Sequence, residues 1–81
     1  MQTYEIVHYD VWGNTRDGYW VNDLYHTGEI IDIPVNATDY QINRILGVRG
    51  ITWEGEDGYV LYGTFKRNGK PALELRAINN A

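Results

Sequence analysis

Five side chains of two kinds stand close together near the start of the chain: Asp10, Trp12, Asp17, Trp20 and Asp23, three carboxylates interleaved with two indoles. Exposed aromatics ringed by polar groups are the usual makings of a protein interface, because they offer large apolar area with few rotamers to freeze. The competing reading is that either Trp packs across a strand pair and belongs to the core. A second grouping lies in the last third, where Lys66, Arg67 and Lys70 follow Phe65. A basic loop beside an aromatic can hold a nucleic-acid backbone while a base stacks. Lysines at a loop tip also serve plain solubility, and the net charge of -4 opposes a polyanion at distance.

Other chemistry finds little support. The chain has no Cys and no Ser, which removes the two commonest nucleophiles. His8 and His26 fall on adjacent expected strands where they could face each other, but two imidazoles without a third ligand make a poor zinc site. The Asp and Asn residues between Asp10 and Asp23 match no calcium-loop register, and no Gly-rich loop leads from a strand into a helix. The expectation is a non-enzymatic protein with no metal and no cofactor.

The elements that must position these residues read as follows. Residues 3–12 mix β-branched, aromatic and polar side chains without Gly or Pro and predict a strand, with Val7, Tyr9 and Val11 on one face. Gly13-Asn14-Thr15-Arg16-Asp17-Gly18 is turn chemistry throughout, and residues 19–26 should return antiparallel. Thr27-Gly28 breaks that pattern, residues 29–33 resume it, and Pro34 ends it. Thr38-Asp39-Tyr40-Gln41 has the form of a capping box opening a helix of about two turns, with Ile42, Ile45 and Leu46 at helical spacing and Gly47 as its stop.

Asn68-Gly69 predicts a two-residue type I′ hairpin and Asp57-Gly58 a second one. Together they pair Phe65 with Ala72, Tyr62 with Leu75 and Trp53 with Tyr62, placing Ile51, Trp53, Val60, Tyr62, Leu73 and Leu75 on one face under the helix. Leu61, Gly63, Phe65, Glu74 and Arg76 are left on the other. The fold class expected is α+β, an antiparallel sheet of about five or six short strands with one short helix packed on one face, in a single domain spanning residues 1–81.

Composition agrees with a small folded protein: of 81 residues, 43% are hydrophobic and 14% aromatic, and the aromatics supply buried area that disulfides would otherwise replace. Without Cys, a leader pattern or a long apolar run, the expected location is cytoplasmic, with no membrane partner. Charge is uneven, the first 43 residues carrying seven acids against Arg16 and the remainder six bases against four acids.

The run Asp10-Val11-Trp12-Gly13-Asn14, followed by Asp17-Gly18-Tyr19, Val21-Asn22-Asp23 and Thr27-Gly28, resembles the opening of small uncharacterised proteins encoded by tailed bacteriophages. The likeness covers residues 4–33. It implies an origin, and with it action in the cytoplasm of a bacterial host, rather than a mechanism. The leading expectation is an accessory protein of phage type that binds a host or phage protein, with inhibition as one mode of action. The rival is single-stranded nucleic-acid binding through Phe65, Lys66, Arg67 and Lys70, and a third reading is self-association along an exposed strand edge.

Overall fold

A computed structural model describes residues 1–56 and 58–78, the side chain of Glu56 excepted. Along the chain run β1 (Gln2–Asn14), β2 (Gly18–Ile33), α1 (Asp39–Leu46), β3 (Ile51–Glu56), β4 (Val60–Phe65) and β5 (Pro71–Ala77). The strands form one antiparallel sheet in the order β2-β1-β5-β4-β3, with α1 packed on one face.

Not all strands are short, since β1 has 13 residues and β2 has 16. Thr27-Gly28 does not end β2 because the irregularity is absorbed: Glu5 pairs with Ile30, and pairing resumes at Val7 with His26. Gly28 takes φ 76°, while the Thr27 hydroxyl donates to the Ile6 carbonyl at 2.9 Å and accepts the Glu29 N–H at 3.0 Å. The unpaired backbone is thus satisfied locally and the ladder continues past the bulge.

Helix α1 forms as its sequence predicts. Thr38 Oγ1 accepts the Gln41 N–H at 3.2 Å, the Gln41 side chain accepts the Thr38 N–H at 2.8 Å, and Gly47 closes the helix at φ 73°. Ile42 is buried and Leu46 half-buried, but Ile45 is exposed, because a helix of two turns shows the sheet only the residues of one narrow stripe. Polar bonds complete the docking. Asp39 accepts the Trp53 N–H at 3.2 Å, and Asn43 donates to the Ile51 carbonyl at 2.8 Å while accepting the Trp53 indole N–H at 2.7 Å. Side chains of α1 therefore occupy backbone groups of edge strand β3 that would otherwise invite another strand.

The core consists of Tyr4, Ile6, Ile33, Ile42, Ile51, Trp53, Leu73 and Leu75, the last fully enclosed. The expectations for Trp53 and Leu75 hold, and that for Tyr62 does not. Observed pairs are Gly63 with Leu73, Leu61 with Leu75, Trp53 with Gly63 and Ile51 with Phe65, each one residue from the expected register. Leu61, Gly63 and Phe65 consequently share the helix side, and Val60 and Tyr62 turn to the other.

The cause lies in the turn. Gly69 has the expected positive φ of 73°, but Asn68 does not join it as type I′ requires. Instead Phe65 N–H donates to the Lys70 carbonyl and Gly69 N–H to the Phe65 carbonyl, both at 2.8 Å, closing a wider loop over residues 66–69. Of the Asp57-Gly58 turn, Asp57 lies outside the described residues. The register change on both sides of β4 cancels for β3 and β5, so only β4 is inverted. Gly63 explains why that is the stable solution: a Cβ there would lie 2.8 Å from the Trp53 ring and 3.0 Å from Ile51, so the indole lies across β4 where no side chain stands.

Candidate functional site

Strand β5 accompanies β1 only from Tyr4 to His8. Beyond that point β1 and β2 continue as a two-stranded arm, in a molecule 42 Å long and 24 by 23 Å across. The arm carries all five of the acidic and aromatic residues singled out above. Its turn is self-supporting: the Asn14 side chain accepts the Asp17 N–H at 2.8 Å and donates to the Asp17 carboxylate at 3.2 Å, and Thr15 and Tyr19 hydroxyls are bonded at 2.9 Å. Gly13 takes φ 110°, and a Cβ there would collide with the Gly18 carbonyl.

Trp12 and Trp20 are directly opposite one another and so share a face, where they remain 54% and 52% exposed. The question left open by the sequence is thereby answered: neither belongs to the core. Asp10 and Asp23 are the next opposed pair on that face, with Asn22 as the extra residue of a bulge. Two carboxylates set opposite each other repel, and each is offset by a local donor: Asn22 Nδ2 to Asp10 at 3.0 Å, and the Leu24 N–H to Asp23 at 2.8 Å. Below them His8 faces Tyr25, and both are exposed. Tyr25 extends the aromatic stripe, although strict period-two alternation from Trp20 would turn it to the opposite face; the extra residue Asn22 brings it to this one.

The opposite face of the arm is anchored. Tyr9, Val21, Asn22, Asp23, Leu24, Tyr62 and Glu74 surround a groove of about 440 Å³ between the arm and the sheet face that α1 leaves uncovered. Glu74 is buried and pairs with the Arg76 guanidinium at 2.9 and 3.4 Å. Burial, and then the charge and hydrogen bond of Glu74, push the Tyr9 phenol well above its ordinary pKa. Tyr9 and Glu74 thus pin the root of the arm to β5.

The second grouping sits at the β4–β5 tip, where Phe65, Lys66 and Arg67 are exposed and Lys70 is half-buried. The histidines do not meet: His8 pairs with Tyr25 and His26 with Val7, which puts them on opposite faces, and His26 Nδ1 lies 2.6 Å from Glu5. The backbone alternation explains this, since the bulge in β2 shifts His26 by one position relative to the face of His8. Among the described residues, no group of three or more His, Asp or Glu side chains is placed to hold a metal ion, and no helix is long and apolar enough to cross a membrane. No protein-family model, curated protein or solved structure matches the chain.

Proposed function

We propose that this is a non-enzymatic accessory protein of phage type that grips a host or phage protein with its projecting arm, and that it inhibits its partner by covering the surface it grips. The observation that carries this reading is the opposed pair Trp12 and Trp20, each more than half exposed on an arm whose shape is held by its own hydrogen bonds. Exposing two indoles sacrifices burial that a small domain could use, and a rigid aromatic pair loses little entropy on binding. Asp10 and Asp23 beside them suit a partner with a basic rim. The resemblance to phage proteins supports a partner inside a bacterial cell.

The test is affinity capture from bacterial host lysate, comparing the wild type with two double variants. Trp20→Ala with Asp17→Lys is expected to abolish recovery of the partner, whereas Lys66→Glu with Arg67→Glu leaves it intact. Recovery that survives the arm substitutions and disappears with the tip substitutions would overturn the proposal. Both variants should keep the fold, because the substituted side chains are exposed.

A further inference from the structure

Residues 40–53 contain Arg44 and Arg49 and no acid, and residues 64–73 contain Lys66, Arg67 and Lys70 and no acid. The fold joins these stretches. Ile51 pairs with Phe65, and the Lys66 N–H donates to the Gly50 carbonyl at 2.8 Å, so the segment carrying Arg49 lies against the β4–β5 tip. Among the described residues the ion pairs are His26 with Glu5 and Arg76 with Glu74, and none of the five cations at this end takes part in one.

The patch also has shape. Tyr40, Asn43, Arg44, Val48, Arg49 and Gly50 line a cleft of about 430 Å³ between the helix and the segment that follows it. Asn43 is committed to Ile51 and Trp53, which leaves two guanidinium groups and the exposed Tyr40 ring as the groups free to meet a ligand. Phe65 supplies a second part-exposed ring at the neighbouring tip.

We propose that this end binds single-stranded nucleic acid, its phosphates held by Arg44, Arg49, Lys66, Arg67 and Lys70 and a base stacked on Tyr40. Cations without internal partners give up no ion pair when they meet phosphate, and each contact releases counterions. Guanidinium groups suit phosphate geometry, and an aromatic face accepts any unpaired base. The net charge of -4 does not forbid this, since at physiological salt charges act across only about 8 Å and the bound strand meets local charge. A duplex would offer its phosphates but no free base for Tyr40, which is why a single strand is the better fit.

The experiment is fluorescence anisotropy of a labelled 15-mer oligothymidylate with the intact protein. If all five cations contact phosphate, affinity should fall about 100-fold between 50 and 200 mM salt. Arg44→Glu with Arg49→Glu, and separately Lys66→Glu with Arg67→Glu, should each weaken binding at least tenfold and flatten the salt dependence. Tyr40→Ala should weaken binding several-fold at unchanged salt dependence, which a purely electrostatic contact would not show. Trp12→Ala with Trp20→Ala should leave binding unaltered. Thermal melts of each variant establish that the fold persists. The proposal is overturned if the wild type does not bind at 50 mM salt, or if reversal of Arg44 and Arg49 changes nothing. It is equally overturned if vesicles containing phosphatidylserine, and not the oligonucleotide, retain the protein.

Discussion

The arm draws all of its candidate residues from one continuous stretch ending at Asp23, whereas the basic end is put together from two acid-free stretches that meet only in the fold. In the arm, the pairs run outward from one turn, from Asn14 with Gly18 to Asp10 with Asp23, so that turn and the bulge at Asn22 decide which side chains share a face. At the basic end, Arg49 approaches Lys66 because β3 and β4 pair and the helix returns the chain to the edge of the sheet. The arm also turns its aromatics outward while the body buries Trp53 against Gly63. A protruding ribbon has no second layer to cover it, so the same residue type has opposite fates in the two regions.

The comparison breaks most severely in the body. Leu75 is fully enclosed, and Leu75→Ala should cost about 2–5 kcal/mol, measured as a lowered midpoint in thermal or denaturant unfolding. Gly63→Val should also destabilise, by at least about 1–3 kcal/mol, because the added side chain must displace the Trp53 ring. A melt unchanged by Gly63→Val would contradict the observed β4 register, and one unchanged by Leu75→Ala would contradict the burial of β5.

The junction between arm and body gives a smaller, pH-dependent effect. The Tyr9 pKa is raised in the folded state, by burial first and by Glu74 next, so the fold favours the neutral phenol. The stabilisation is therefore fully present below the ordinary phenol pKa of 10.0 and is lost as pH rises above it. Unfolding followed between pH 8 and pH 11 should show wild-type stability falling more steeply than that of Tyr9→Phe. Parallel curves would mean that Tyr9 does not titrate against the fold.

The smallest effect belongs to the arm itself. Trp12→Ala or Trp20→Ala should change global stability by no more than about 1 kcal/mol, the scale of a cross-strand aromatic pair. In the same variants, acrylamide quenching should show that the lost fluorescence was the readily quenched part, leaving Trp53 as the protected component. A Trp20→Ala variant that melts like Leu75→Ala would place the arm in the cooperative core and remove the contrast.

Much of this was legible in the chain because it depends on neighbours in sequence. The capping box at Thr38 and Gln41, the stop at Gly47, the first hairpin turn, and the faces of Ile51, Trp53, Leu73 and Leu75 all follow from local patterning. The local pattern fails at Asn68-Gly69, whose dipeptide preference favours a two-residue turn although the structure closes a wider one. The two expected hairpins agree on the faces of β3 and β5 in either register, because a common shift of one residue inverts β4 alone. The residue that carries the observed register is Gly63, a glycine inside a strand that marks the close approach of the Trp53 ring.

The sequence by itself determined the helix and its caps, the strand-rich class, and an opening hairpin that carries the acids and indoles, since each rests on backbone preferences within a few residues. Only the tertiary structure decided that Trp12 and Trp20 stay in solvent while Trp53 is buried, that Tyr62 leaves the core, and that Arg44 and Arg49 stand beside Lys66. Those outcomes depend on which surfaces meet after the sheet is assembled: a side chain is buried when another layer reaches it, and charges gather where distant segments pair.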